Sequence, residues 1–400
     1  MRGVASRLRR YPCALEIAGA LIYPAAMLRK YLVALSIALA VAGAARAEPR
    51  SGIDISAIDP AVPSQQDFWR FANGKWLAAT PIPADRSAWN TFAALYETTQ
   101  QQLRDVIEGV DPRGPDGSEP RKLADFYGSF MDEARVEAAG LEAMRDELAR
   151  IHGLNDKAAL PALFTHLARL WVRTPWQLEI EPDQHDATHY VAHLEQSRLG
   201  LPDRDYYLKD DAHFLTIRKA YREHIVKLLS LAGEPAAEAS ADAIIALETA
   251  IARLQWTRVE NRDPIKTYNK RDIAALPALV TTDDWPSFLS AAGAGADVRT
   301  VIVAQPSYFD SVGAVLREVP MATWQAYLAY NLISAYAPYL SAPFVAEDFA
   351  FEQHMLRGVP EIQPRWKRAV ATVDRLVGLP SAGFMSNATF RRPARTGPTR

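Results

Sequence analysis

From Trp89 to Val377 the apolar residues of this chain recur at three- and four-residue steps, and that period breaks to strict alternation in only one stretch. Trp89, Phe92, Tyr96, Leu103 and Ile107 form the first helical stripe, its start marked by Pro81-Ile82-Pro83. A loop rich in Pro, Gly and Asp, Asp111 to Pro120, separates it from Leu123, Phe126, Tyr127, Phe130 and Met131. Leu163, Leu167, Leu170 and Trp171 give a third stripe, and further ones run through Tyr221 to Leu231, Ile244 to Leu254, Trp324 to Leu340 and Trp366 to Val377. Between the third and fourth, Trp176, Leu178 and Ile180 alternate with polar residues, as do Tyr190, Ala192 and Leu194, which predicts a small β-hairpin. The fold class expected is mainly α, a multi-helix lobe with a small β-hairpin. Ala291 to Ala296 reads as a loop of small residues.

Composition decides which partners such a fold can have. At 400 residues and 49% hydrophobic, the chain can bury a sizeable core divided between two or three lobes. Lys and Arg number 45 against 47 Asp and Glu, a net charge of −2, so no overall field draws the protein to nucleic acid or to an anionic membrane. Cys13 is the only cysteine, which excludes internal disulfides and a thiolate zinc cluster.

The amino terminus sets the compartment. From Met27 the chain carries Arg29 and Lys30, then an apolar run from Tyr31, then Ala45-Arg46-Ala47 before Glu48. That is the layout of a secretory signal cleaved between Ala47 and Glu48, and its apolar run falls short of the roughly 20 residues a spanning helix needs. The protein is expected to be exported, periplasmic or extracellular, without a stable membrane anchor. The signal is complete without residues 1–26, which read as an upstream extension from a start assigned too early.

Complete catalytic constellations are not found. His185, His189 and His193 stand at four-residue spacing, which on a helix brings imidazoles together for zinc. Here Pro182 and the flanking alternation place them on a hairpin and its loop, where solvent-facing histidines are expected instead. No His is followed by Glu, and there is no GxSxG elbow, Walker loop or GxGxxG. No catalytic and no metal residue is assigned, and the substrate-binding residues are left open. The dense loops Leu199 to Tyr207 and Arg262 to Asn269 combine turns, charges and tyrosines, and are read as structural rather than as ligand loops.

Taken together, several passages resemble the amino-terminal domain of the neprilysin and endothelin-converting enzyme family of zinc metallopeptidases. They are Asp67-Phe68-Trp69 with Asn73-Gly74-Lys75-Trp76-Leu77 and Ile82-Pro83, Phe126-Tyr127 with Met131-Asp132, Gly200 to Tyr207, and Thr267-Tyr268-Asn269. Gln305-Pro306-Ser307-Tyr308-Phe309, Trp324 with Tyr327-Leu328, and Pro364 to Arg368 follow in order. The resemblance covers residues 51–378. It implies the front lobe of a two-lobed peptide-hydrolysing enzyme, with zinc, its HExxH motif and a later Glu ligand in a carboxy-terminal catalytic lobe that this chain lacks. Some members bind the substrate's end with an arginine before the first-helix aromatic; Ala88 precedes Trp89 here, so that role is not carried over.

Past Gly378 the family pattern stops, and residues 379–400 become rich in Arg and Pro. Shifting the reading frame by one base over Leu379 to Arg392 permits a product of the family type, so the tail is expected to be out of frame. This chain is accordingly expected to be truncated before the zinc lobe, to hold no cofactor and to be inactive alone. The alternative is a peptide- or protein-binding module without chemistry. A lobe that normally closes on another is also expected to leave its inner apolar face exposed.

Overall fold

The computed structural model describes residues 54–278, 284–293, 295 and 298–389. The expected signal segment, its Ala47 and Glu48 cleavage point, the upstream extension and residues 390–400 lie outside the described residues. So does part of the small-residue loop at 291–296. Two compact units divide at Pro81 and Ile82.

In the first unit, α1 (Phe68–Ala79) starts where the Asp67 carboxylate accepts the Arg70 N–H at 2.9 Å, satisfying a donor that a helix start leaves open. Gly74 lets the Asp59 segment lie against this helix, since a Cβ there would stand 2.6 Å from the Asp59 Cβ. The Asp59 N–H donates to the Phe71 carbonyl across the same contact.

The second unit opens with α2 (Thr91–Glu108), capped by Asn90. Trp89, expected inside this helix, lies just before it and faces the Arg86 guanidinium. α2 packs with α3 (Glu119–Met131) and α14 (Arg365–Thr389) around Ile107, Leu123, Tyr127, Val370 and Val373. Lys367 ties α14 both to the chain before α2, reaching Asp85 at 3.0 Å, and to α2 itself, reaching Glu97 at 2.6 Å. Only the back half of the predicted stripe is covered: Phe92 is 83% exposed and Tyr96 43%.

A larger core follows. α4 (Glu133–Ala139), α5 (Arg145–His152) and α6 (Leu160–Arg169) lead into the sheet, and α7 (Asp205–Leu208), α8 (Ala212–Leu231) and α9 (Ala237–Leu254) lead out of it. α10 (Asp284–Ala291), α11 (Pro306–Glu318), α12 (Met321–Tyr336) and α13 (Ala342–Asp348) complete the helices, with a π-helical stretch Phe349–Met355 running on from α13. Phe164, Trp176, Trp285 and Trp324 meet at ring separations of 5.1 to 5.6 Å, and α12 is buried on nearly all sides.

The hairpin expected from alternation is present as β1 (Trp176–Asp183) and β2 (Asp186–Gln196), with Leu178 opposite Leu194. It belongs to a larger sheet than the sequence indicated. β4 (Thr300–Val303) adds parallel to β2, and β3 (Lys270–Asp272) adds antiparallel to β4, giving the order β1-β2-β4-β3.

That extension corrects the histidine reading. His193 is paired beside Ile302 in the middle of the sheet and is buried, not solvent-facing. His189 is exposed at the hairpin's far end, bonded to Asp186 at 2.7 Å, and the exposed His185 ring stacks on Tyr268 at 4.0 Å. Four strand residues span roughly 13 Å, so His189 and His193 share a face without converging.

A second correction concerns Trp171. α6 ends at Arg169, and Trp171 takes a left-handed backbone (φ 61°), with its N–H bonded to the Ala168 carbonyl and the Val172 N–H to the Leu167 carbonyl. This bond pair closes a helix end at the position where glycine is the usual residue. Val172 is buried, whereas Trp171 is 80% exposed.

Candidate functional site

The segment Ser197 to Tyr207 runs from β2 to α7 and has two chemically opposite sides. On the inner side, Glu248 of α9 is fully buried at a position of the helix stripe otherwise filled by Ile244, Leu247 and Ile251. A lone buried carboxylate is costly, and here donors converge on it. Oε1 accepts the Gly200 N–H at 3.1 Å, and Oε2 accepts the hydroxyls of Tyr207 at 2.8 Å and Tyr221 at 2.9 Å. Burial raises the Glu248 pKa, while Arg173 and the three donors oppose that rise. The Tyr207 hydroxyl also accepts the Leu201 N–H at 2.8 Å, so the turn hangs from this one cluster.

Gly200 is required there. A Cβ at that position would stand 1.8 Å from the Tyr221 hydroxyl oxygen. The loop read as structural from its turn and tyrosines is therefore structural on this side.

The outer side borders a cleft of about 710 Å³, a size suited to a small ligand or a few peptide residues. Its walls come from six places in the chain: the turn after α6 (Trp171, Arg173), the Arg198 to Tyr206 segment, Arg258, the end of α12 with Tyr339, the stretch from α13 through the π-helix to Arg357 (Asp348, Glu352, Arg357), and Arg375 of α14. Arg173 is fixed. It donates to Asn331 Oδ1 at 2.8 Å and to the Leu199 carbonyl at 3.0 Å. Arg258 pairs with Asp203 at 2.7 Å, and Arg375 donates to the Tyr339 hydroxyl.

Arg198, Arg357, Asp348 and Glu352 are different. None of the four side chains has a hydrogen bond or an ion pair to a described residue. Burial together with the neighbouring Arg173 and Arg357 charges lowers the Arg198 pKa, with Glu352 acting against them. Burial, aided by the Glu352 charge, pushes the Asp348 carboxyl up to about 7. A second hollow of about 510 Å³ shares Arg198, Leu199, Pro202 and Arg258 with this cleft.

No group of three or more His, Cys, Asp or Glu side chains among the described residues is placed to hold a metal ion. The described donor set does not fit zinc, and no hydrolytic step is derived from it. The sequence reading left substrate-binding residues open, and the cleft residues Trp171, Arg198, Asp348 and Arg357 lacked any shared spacing that could have singled them out. The nearest signal was the Gly200 to Tyr207 passage, of which Gly200, Leu201, Pro202 and Tyr206 line the cleft.

Among the described residues no helix is long and apolar enough to cross a membrane. The family model for Peptidase family M13 matches residues 64–396. Human endothelin-converting enzyme 1 is 25% identical over 353 residues, which cover 86% of this chain and 46% of that protein; the Bos taurus enzyme is 25% identical over 347. Among solved structures, the zinc metalloprotease ZMP1 of Mycobacterium tuberculosis in complex with inhibitor superposes with a TM-score of 0.80 at 34% identity, covering 85% of this chain and 52% of that one. PEPO from Lactobacillus rhamnosis HN001, at 20% identity and a TM-score of 0.70 over 83% of this chain and 52% of that one, shares the fold. The chain thus spans about half the length of the relatives it matches. With a family match over most of its length and the expected helical lobe in place, this chain belongs to peptidase family M13, the neprilysin and endothelin-converting enzyme family of metallopeptidases.

Proposed function

We propose that this chain is the front lobe of an exported zinc metalloendopeptidase, a wall on which peptides are held while another lobe of the intact enzyme supplies zinc and activates water. The observation that carries the family part of this reading is the match over residues 64–396, which runs on past Gly378 into the segment expected to be out of frame. Zinc is the cofactor of the intact enzyme, and peptides are its substrates. Export is supported by the signal pattern at Met27 to Ala47, and amino-terminal sequencing of the mature protein is expected to begin at Glu48.

Purified residues 48–400 are expected to carry no stoichiometric zinc by elemental analysis and to leave a quenched-fluorescent peptide uncut. Protein continued past Gly378 in the shifted reading frame is expected to gain both. Hydrolysis by residues 48–400 alone, or a frame-shifted product without a zinc motif, contradicts the proposal. Peptide binding that persists with no hydrolysis in the continued protein instead identifies the binding module without chemistry.

A further inference from the structure

The cleft beside Leu199 carries an inference about which peptides this lobe holds, and it rests on the reading of the lobe as a peptide-holding one. The first observation is the contrast among its arginines. Arg173, Arg258 and Arg375 are each bonded to protein, but Arg198 and Arg357 have no bond to any described residue. A guanidinium offers five N–H donors in a fork that matches a carboxylate, and both of these forks are open toward the cleft.

The second observation is Trp171. A non-glycine residue in the left-handed region costs roughly 1–2 kcal/mol, and an indole this exposed recovers little of that by packing. Its position on the cleft wall gives the ring a surface to offer: aromatic faces take peptide backbone and apolar side chains, and they bind cations as well.

The third observation is the state of the acids. Two acids, Asp348 and Glu352, line the cleft beside five arginines, and burial pushes the Asp348 carboxyl up to about 7, so that it is about half ionised near pH 7. The cleft therefore keeps a surplus of positive charge within a protein of net charge −2. With two open guanidiniums and acids in the same lining, it suits a carboxylate better than a polyphosphate.

We propose that this cleft binds carboxylate-bearing peptide segments, with Arg198 and Arg357 taking the carboxylate and the Trp171 ring lying against the adjoining peptide. Binding here asks nothing of zinc or of a second lobe.

The test is calorimetric titration of the purified chain with tetraglutamate and with tetraglutamine, both acetylated and amidated at their ends. Tetraglutamate is expected to bind at least tenfold more tightly. Arg198→Gln and Arg357→Gln are each expected to weaken it at least fivefold with the melting temperature unchanged, and Arg135→Gln, an exposed arginine outside the cleft, to leave it as it was. Trp171→Ala is expected to weaken both peptides.

Equal affinity for the two peptides overturns the inference and leaves the peptide-holding reading standing, whereas no binding of either removes both. Equal weakening by Arg135→Gln, or displacement of tetraglutamate by an equal concentration of inorganic phosphate, shows a generic anion effect and also overturns it.

Discussion

The two sides of the Ser197 to Tyr207 segment treat polar side chains in opposite ways. Behind it, Glu248 is buried with donors on both carboxylate oxygens, two of them tyrosine hydroxyls. In front of it, Arg198, Arg357, Asp348 and Glu352 gather without one bond among them. The difference separates architecture from availability. A satisfied buried cluster fixes one backbone path and resists change, while unbonded charges in a cleft contribute little to stability and keep their donors for something else.

Gly200→Ala attacks the inner side most directly. The new methyl collides with the Tyr221 hydroxyl, so the turn or the tyrosine must move, and a loss of about 4 kcal/mol is expected in denaturant unfolding. Glu248→Ala removes the acceptor and leaves Tyr207, Tyr221 and the Gly200 N–H unpaired, at a cost of about 3 kcal/mol. A loss under about 1 kcal/mol in both would erase the contrast between the two sides.

On the outer side the effects are expected to reverse sign or vanish. Asp348 has a folded pKa raised from 3.8 to about 7, so the folded state holds more protons than the unfolded one between those values, and stability falls as pH rises through that window. Asp348→Asn is expected to remove this dependence. The variant should match the parent at pH 4 and exceed it by on the order of 2 kcal/mol at pH 8, as read from paired urea titrations. A smaller gain, about 1 kcal/mol, is expected for Trp171→Gly, because glycine takes the left-handed helix end without strain. Destabilisation there would mean that the indole packs more than its exposure implies.

Much of the architecture was legible because helix periodicity survives wherever a helix has one buried face, as in Tyr221 to Leu231 and Ile244 to Leu254. The rest was hidden for stateable reasons. β3 and β4 have three and four residues, too few to display a period, so the sheet looked like a lone hairpin and His193 looked exposed. Glu248 occupies an apolar stripe position, and a pattern cannot show that three donors from distant segments will meet it. Trp171 extends the α6 stripe by spacing alone, while the bonds that end the helix belong to the backbone.

The cleft was the least legible part. Its open charges come from residue 198 and from 348 to 357, on separate elements, and their significance lies in lacking partners, which only the assembled fold reveals.

The central claim, that the outer side is kept for a ligand and not for stability, is tested most directly by Arg198→Gln combined with Arg357→Gln. Scanning calorimetry of parent and double variant, each with and without saturating capped tetraglutamate, reads both properties at once. The melting temperatures without peptide are expected to coincide, and the peptide is expected to raise that of the parent alone. A double variant that melts lower without peptide, or that is raised by the peptide as much as the parent, would contradict it.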